Sequence, residues 1–393
     1  MPLPLESVRV LDLTRLLPGP YCTMLLADFG AEVIKIEDPE IGDYARWQEP
    51  RIDDASALFH SLNRNKKSFA VNLKTEVGRE LFWELVKGAD VIIESFRPGV
   101  MSRLGLGYDD LKESNPKLIY CSLTGYGQNG PYADWAGHDL NFIGLSGLLD
   151  LLKGNDGRPV LTPVQMADLC GGAFPAAVGI LLALIERERS GRGQYIDISM
   201  LDGVISLLQT TLPDYLETGK LPKHDEGPLT GGKACYGVYE TKDGRFLAVA
   251  ALEKKFWRSF CNTIEREDLI DLHEAPLREQ NKMKADIQSV IEQRALSDWM
   301  DAFSGMDACV TPVSQLNEAV CDSHIQAREM ILPKDGLHYI STSIKLSETP
   351  SGIRFAAPKL GQHTEELLEE IGLSREEMVM LKKNKVIPRE KKI

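Results

Sequence analysis

The N-terminal third of the chain alternates between short apolar runs and longer stretches with helical periodicity. VRVLDLT and AEVIKIE are typical of buried strands, and the helical stretch YCTMLLADFG lies between them. The same rhythm continues as helix VGRELFWELVKGA, strand DVIIESF, helix YDDLKESN and strand KLIYCSLTGYG. Because parallel strands need a helical crossover, this order predicts a doubly wound α/β domain. No GxGxxG motif opens the first helix, which disfavours a dinucleotide-binding enzyme.

A further helix and strand follow before the sequence pattern changes beyond residue 212. An apolar helix rich in small residues is predicted from Gly171 to Arg189, and the strand QYIDISM follows it. Pro, Gly and charged residues then dominate, as in a linker. Further on, the strands ACYGVYET and RFLAVAAL flank the turn Lys242-Asp243-Gly244, which predicts a hairpin in a second domain. The predicted segments are an N-terminal part (1–212), a linker with a glycine loop (213–232), a small domain (233–330) and a C-terminal part (331–393).

Composition and charge narrow the function classes. The chain has 393 residues, of which 43% are hydrophobic and 26% charged, as in ordinary soluble globular proteins. A net charge of −13 makes a nucleic-acid binder a poor candidate, although a local basic cluster can still bind an anionic ligand. The seven cysteines are scattered without a CxxC pair. This pattern predicts reduced thiols in a cytosolic protein and no metal site.

Targeting signals are not expected either. The N-terminus lacks a basic stretch followed by an apolar run, so a signal peptide is disfavoured. The most apolar stretch, Gly171 to Ile185, is too short to span a bilayer and contains Pro175, which predicts a buried helix. We therefore expect a soluble, cytoplasmic protein that does not enter a membrane.

Five segments, taken together, carry a family resemblance. They are LDLTRLLPGPYCTMLLADFGAEVIKIE, DVIIESFRPGVMSRLGLGYDDL, LIYCSLTGYGQNGPYAD, GRGQYIDISMLDG and APKLGQHTEELL. In this order the chain resembles the family III CoA-transferase superfamily (CaiB/BaiF type), closest to its 2-methylacyl-CoA racemase branch. The resemblance implies an α/β fold with a Rossmann-like large domain built from both termini, a small α+β domain and an interlocked homodimer. It places the active site where the large domain of one chain meets the small domain of the other.

Three acid–base residues stand out once the resemblance is stated. Alone, His138 is more often a structural histidine at a helix start, Asp168 a helix N-cap and Glu253 a surface residue at a strand end. In the racemase branch a GHDxN motif supplies the catalytic histidine, here His138. Asp168, 30 positions further on, matches the family's catalytic aspartate, and the A-x-E at Glu253 matches an assisting acid.

The chemistry explains why such residues are needed. The α-proton of a 2-methylacyl thioester is very weakly acidic, so inversion needs a base on one face and an acid on the other. His138 and Asp168 can fill these two roles, each acting as the base for one enantiomer. The enolate oxygen also needs hydrogen-bond donors, for which the start of a helix at Gly171-Gly172 is the candidate.

Coenzyme A is expected as part of the substrate, with no permanently bound cofactor. The resemblance implies CoA or substrate contacts at Val71, Asn72, Leu73, Lys74, Ser95, Phe96, Arg97, Arg103, Gly137, Asp139, Leu140, Asn141, Phe142 and Tyr236. Arginine suits phosphate because its guanidinium donates two parallel hydrogen bonds. One position departs from the racemases: Asp38 stands where they often place a CoA-binding arginine. That contact is therefore expected to be either lost or replaced by Lys35 or Arg46.

Two alternatives remain open. A CoA-transferase uses Asp168 as a nucleophile that passes through an aspartyl-CoA thioester, shielded from water by a glycine loop. Thr230-Gly231-Gly232 resembles such a loop, but a plain linker turn explains it equally well. The third hypothesis is a CoA-binding protein without activity, which the acid–base set disfavours.

Overall fold

The computed structural model describes residues 2–154, 156–223 and 225–389. The chain forms two compact units. The large unit comprises Met1–Leu152, Val160–Leu208 and Glu329–Ile393, and the small unit comprises Lys153–Pro159 and Gln209–Arg328. The small unit is thus inserted into the sequence of the large one.

The strands are, in chain order, β1 (Arg9–Leu13), β2 (Glu32–Glu37), β3 (Arg51–Ile52), β4 (Ala55–Ser56), β5 (Lys66–Ala70), β6 (Val91–Glu94), β7 (Ile119–Thr124), β8 (Tyr195–Ser199), β9 (Tyr236–Glu240), β10 (Phe246–Ala250), β11 (Val310–Pro312), β12 (Ile331–Lys334) and β13 (Leu337–Ile340). The α-helices are α1 (Pro18–Asp28), α2 (Ala57–Leu62), α3 (Glu76–Lys87), α4 (Val100–Arg103), α5 (Tyr108–Leu111), α6 (Asp139–Leu145), α7 (Leu148–Leu151), α8 (Phe174–Ser190), α9 (Met200–Leu207), α10 (Leu212–Thr218), α11 (Lys254–Thr263), α12 (Leu277–Ile291), α13 (Leu296–Phe303), α14 (Leu316–Ala319), α15 (Ser323–Ala327), α16 (Thr364–Glu370) and α17 (Arg375–Lys383). A π-helix spans Ala167–Ala173, and 3₁₀ turns span Tyr44–Trp47 and Glu267–Leu272.

A six-stranded parallel sheet organises the large unit. Its strand order is β5-β2-β1-β6-β7-β8, so the chain moves outward from β1 first on one side and then on the other. This is the order of a doubly wound sheet, and it confirms the predicted α/β class. Val10 of the central strand β1 is paired with Val33 and with Val91. The inner strands β6 and β7 are buried along their whole length and are mostly apolar, as expected where both faces of a sheet are covered.

Each face of the sheet has its own hydrophobic core. One core includes Leu25 of α1 and Ile180 of α8, and the other includes Phe82 of α3. The C-terminal helices α16 and α17 add Leu367 and Met378 to the second core. Residues from both ends of the sequence therefore complete the same unit.

The small unit is built on the antiparallel sheet β11-β10-β9. β9 and β10 form the predicted hairpin, with Leu247 paired with Tyr239, and Gly244 adopts the left-handed conformation (φ +69°) in its turn. The helices α11 and α13 cover this sheet. Their aromatic residues pack in the core, where the Phe260 and Phe303 rings are stacked 5.9 Å apart.

The long apolar helix differs from its prediction. The π-helix and α8 form one continuous helix from Ala167 to Ser190. The charged segment at its end, which was predicted as a turn, is helical up to Gly191 (φ +71°). These 24 residues are long and apolar enough to cross a membrane by length and composition, and only 39% of the most apolar window is buried. The helix is therefore longer than predicted and only partly buried, so the prediction of a buried helix too short to span a bilayer was wrong. Leu182 and Ile185 are 61% and 70% exposed.

Candidate active site

A cleft of about 750 Å³ opens at the carboxyl ends of the central strands of the large unit. Its walls include Arg15 and Leu16 after β1, Ser95 to Pro98 after β6, and Gly125 after β7. Strand order reverses between β1 and β6, and ligands of doubly wound sheets bind at this switch point. Both His138 and Asp168 line the same cleft. The structure therefore brings together the two residues on which the predicted chemistry depends.

His138 is held at the N-cap of α6. Its backbone N–H donates to Asn141 Oδ1 (3.0 Å), and the backbone N–H of Asn141 donates to the His138 carbonyl (2.8 Å). This reciprocal pair fixes the first turn of the helix, as in a capping box. The His138 residue is exposed in the cleft wall and so remains free for a ligand.

The ring of Phe142 explains two of the glycines around His138. A Cβ atom added at Gly125 or Gly137 would lie 2.5 or 2.6 Å from Phe142 Cε1. Only glycine allows the two backbone segments to approach the ring this closely. Tyr126 packs edge-on against the same ring, with 5.1 Å between ring centroids. The predicted contact Phe142 thus anchors the loop that carries His138.

Asp139 joins the His138 segment to the Asp168 segment. Its Oδ1 atom accepts hydrogen bonds from the backbone N–H groups of Ala167 (2.6 Å) and Asp168 (3.0 Å). A carboxylate is favourable here because the free N–H groups at a helix start carry partial positive charge. Asp139 was predicted as a substrate contact. It does not line the cleft, and its contacts are those of a positioning residue.

Asp168 lies in the first turn of the π-helix, one residue inside its first position. It is therefore not the N-cap, and its side chain is not needed to close the helix. Burial first, and the nearby charge of Asp139 second, raise the pKa of Asp168 to about 7. A carboxyl group in this state can give or accept a proton near neutral pH.

The predicted enolate donors are placed differently from the expectation. Gly171 and Gly172 lie inside the π-helix, which begins at Ala167, and not at a helix start. Added Cβ atoms there would lie 2.6 Å from the Met200 carbonyl and 2.8 Å from Met200 Cγ. The two glycines therefore permit close packing on α9, and the prediction that a helix starts at them was wrong.

The remaining predicted contacts fall into two groups. Those that line the cleft are Ser95, Phe96, Arg97, Gly137, Asn141 and Phe142. Those of the large unit that do not are Val71, Asn72, Leu73, Lys74, Arg103, Asp139 and Leu140. Val71 is buried in the core, and the Asn72 carbonyl accepts two hydrogen bonds from Thr75, the N-cap of α3. This segment has a clear structural role as the connection between β5 and α3, while Lys74 and Arg103 are exposed to solvent.

Glu253 and Tyr236 belong to the small unit. Glu253 is exposed and immediately precedes α11, whose Trp257 donates its backbone N–H to the Glu253 carbonyl (3.0 Å). Tyr236 begins β9 and is paired with Ala250. Their contacts within the small unit leave the Glu253 carboxylate free of an ion pair among the described residues.

Asp38 and the two cations near it have partners within the protein. Asp38 Oδ1 closes a turn by accepting from the backbone N–H groups of Glu40 and Ile41. Lys35 is fully buried in an ion pair with Asp43 (2.8 Å), and Arg46 is buried in a two-point contact with Glu37. Both cations are thus paired with carboxylates, and neither lines the cleft that holds His138 and Asp168, so replacement of the missing arginine by one of them stays a prediction.

A different arginine was missed. Arg15 lines the cleft, with its guanidinium carbon 5.1 Å from the ring centroids of both Tyr44 and Phe96. Its position directly after the central strand β1, at the strand's carboxyl end, was the available signal. Among the described residues, no group of three or more His, Cys, Asp or Glu side chains is arranged to hold a metal ion.

Known proteins resemble the chain over most of its length. The family model described as CoA-transferase family III matches residues 5–364. Alpha-methylacyl-CoA racemase of Mus musculus is 38% identical over 396 residues, which cover 98% of this chain and 98% of that protein. Succinyl-CoA:glutarate CoA-transferase of Mus musculus is 35% identical over 383 residues, covering 94% and 86%. The crystal structure of a CAIB/BAIF family protein from Brucella suis matches with a TM-score of 0.84 at 31% identity, covering 94% and 100%.

Proposed function

Because the chain belongs to CoA-transferase family III, we propose that it is an acyl-CoA enzyme that inverts the α-carbon of a 2-methylacyl-CoA. The observation that carries this proposal is the shared cleft of His138 and Asp168, in which burial and the charge of Asp139 together raise the pKa of Asp168 to about 7. Inversion needs two groups that exchange protons near neutral pH. In this proposal coenzyme A enters as part of the substrate, and no further cofactor is required.

The proposed reaction passes through an enolate. In one direction the Asp168 carboxylate takes the α-proton, and the His138 imidazolium gives a proton to the opposite face of the same carbon. In the other direction the two residues exchange roles. The cleft supports this division of work because the two side chains come from different elements, α6 and the π-helix, which Asp139 holds together. Glu253 is proposed to assist Asp168, as the resemblance implies.

A second candidate function is CoA transfer between carboxylic acids. The observation in its favour is that relatives with this activity are about as similar to the chain as the racemases are. In this case the Asp168 carboxylate attacks the thioester and the CoA thiolate leaves. The thiolate then attacks the Asp168 carbonyl of the anhydride, which releases the first acid and leaves an aspartyl-CoA thioester. The acceptor carboxylate takes over CoA by the same steps in reverse, which frees Asp168. His138 has no required role in that sequence. The two functions therefore make different demands on one residue.

One assay distinguishes the two. In heavy water, a racemase incorporates deuterium at the α-carbon of a 2-methylacyl-CoA, whereas a transferase moves CoA to an added acid and leaves the α-carbon unlabelled. For a racemase, we expect His138→Ala and Asp168→Asn each to reduce exchange by about 10²-fold or more, the scale of a lost acid–base group. His324→Ala, which removes an exposed histidine of the small unit, is the control.

Contrary results are clear. Transfer activity that survives His138→Ala, with an acyl adduct on Asp168 that hydroxylamine releases, would establish the transferase. Binding of acyl-CoA without exchange or transfer would indicate a protein without activity, and would overturn both enzymatic proposals.

We further propose an interlocked homodimer in which the small domain of one chain completes the cleft of the other. The exposed apolar face of α8, which includes Val178, Leu182 and Ile185, supports an interface of this kind. The domain boundaries at residues 212, 232 and 330 and a cytoplasmic location belong to the same proposal. Sedimentation should give twice the mass of one chain, and a monomer at micromolar concentration would contradict the dimer.

A further inference from the structure

The geometry points to Arg15 as an anion-binding residue of the cleft, which holds a phosphate of coenzyme A or a carboxylate of the acid partner. Both ligands present the same chemistry, a delocalised oxyanion that a guanidinium binds through parallel hydrogen bonds. The inference rests on the proposed acyl-CoA function and adds a binding residue to it.

Arg15 is fixed from two sides. Its guanidinium carbon lies 5.1 Å from the Tyr44 ring centroid and 5.1 Å from that of Phe96, and Nη1 donates to Tyr44 Oη (3.2 Å). These contacts involve the faces of two aromatic rings and only one of the five guanidinium N–H groups. Other N–H groups remain available to a ligand. The side chain is half-buried in the cleft wall, so little ordering is needed when a ligand binds.

The backbone around Arg15 is held by a buried ion pair. Lys35 Nζ donates to the Thr14 carbonyl (2.9 Å), and its partner Asp43 accepts from the Leu16 N–H (3.1 Å). Leu16 has a φ of +65°, a conformation that residues with a Cβ atom rarely adopt. Strain of this kind persists where the surroundings impose it, often at binding sites. Lys35 and Asp43 thus fix the backbone on both sides of Arg15.

Arg15 has no carboxylate within ion-pair distance among the residues that the structure describes. In this chain of net charge −13, several other half-buried or buried arginines, among them Arg9, Arg46 and Arg64, are paired with carboxylates. An unneutralised cation in a cleft attracts anions, and the exposed Arg97 on the same wall adds to the field.

The fold also explains why a cation is needed at this point. In many doubly wound domains, phosphate binds to N–H groups at the start of the helix that follows β1. Here α1 begins with Pro18, Gly19 and Pro20, and the two prolines have no N–H group. The next N–H, of Tyr21, donates to the Leu17 carbonyl. The helix start therefore offers few donors, and Arg15 lies just before it with several.

The test is a calorimetric titration of the full chain with three probes: coenzyme A, pantetheine and glutarate. Arg15→Ala removes the cation, and Arg15→Lys keeps the positive charge without the parallel N–H donors of the guanidinium. Arg189→Ala, which removes an arginine whose side chain is 83% exposed, is the control. We expect Arg15→Ala to weaken binding of the oxyanion probe about tenfold or more, the scale of a lost charge-assisted hydrogen bond. Arg15→Lys should recover only part of the loss.

The probes distinguish the sources of the anion. If phosphate is the ligand, the loss affects coenzyme A and disappears with pantetheine, which has no phosphate. If a substrate carboxylate is the ligand, glutarate binding is lost while coenzyme A binding is kept. A wild-type chain that binds coenzyme A, together with an Arg15→Ala chain that binds every probe as Arg189→Ala does, would overturn this inference alone. A wild-type chain that binds no probe would overturn the proposed function with it.

Discussion

Asp139 offers the sharpest test of how the cleft sets the state of Asp168. Asp139→Asn removes a negative charge but keeps an amide oxygen that can accept the hydrogen bonds from Ala167 and Asp168. The pKa of Asp168 is raised from 3.8 to about 7 by burial first and by Asp139 second. Removing the second cause should lower that pKa while leaving the larger, burial-driven part of the increase in place.

The size of the change follows from the order of the two causes. An increase from 3.8 to about 7 corresponds to about 4 kcal/mol in favour of the neutral carboxyl. Asp139 contributes less than half, and a neighbouring unit charge at an effective dielectric constant of about 20 is worth on the order of 1–3 kcal/mol. We therefore expect the pKa of Asp168 to fall by about one pH unit in Asp139→Asn.

The measurement is the pH dependence of kcat/KM, which reports ionisations of the free enzyme. Wherever the Asp168 carboxylate is the base or the nucleophile, activity rises with pH through about 7. In Asp139→Asn this rise should move to lower pH. Asp109→Asn, which neutralises an 88% exposed carboxylate of the same unit, should leave it unchanged. An unchanged or upward-shifted profile in Asp139→Asn would refute the electrostatic role of Asp139.

Two further predictions concern stability. Gly125→Ala brings a Cβ within 2.5 Å of the Phe142 ring and should cost about 1–3 kcal/mol, lowering the melting temperature; Gly352→Ala, where no atom lies within 4 Å, should not. Burial opposes ionisation of the Asp12 carboxyl, but the charges of the buried Lys35 and Lys66 lower its pKa to about 2. The stability gained from this carboxylate is present above about pH 4 and lost towards pH 2, so the destabilisation by Asp12→Asn, about 3–5 kcal/mol at pH 7, should shrink in acid. A pH-independent difference in urea midpoint would contradict this.

The sequence predicted the parts of the structure that depend on local pattern. Strands buried on both faces leave apolar runs such as those of β1 and β6, and the turn at Gly244 joins a hairpin whose two strands were both visible. The pairing of His138 with Asp168 in one cleft came from the family motifs. Charge partners could not be predicted in the same way. The sequence around a lysine such as Lys35 does not show whether its ammonium binds a ligand or a buried carboxylate, because its partner is set by the tertiary fold.

The errors share a physical cause. Asp139 accepts hydrogen bonds from residues 28 and 29 positions away, and such long-range contacts leave no periodicity in the sequence. The helix that contains Asp168 begins four residues before the predicted Gly171, and its first seven residues form the π-helix. Its exposed apolar face was taken for a buried one because the sequence pattern shows which residues are apolar, not what covers them.

The insertion of the small unit has a consequence for biosynthesis. The last strand of the large sheet ends at Ser199, but α16, which covers part of that sheet with Leu367 and Leu368, begins only at Thr364. At translation rates of about 5–20 residues per second, one apolar face of the sheet stays incompletely covered for roughly 8–33 seconds on the ribosome. The nascent chain therefore presents a surface suited to chaperones, and a premature stop within the small unit releases an aggregation-prone fragment.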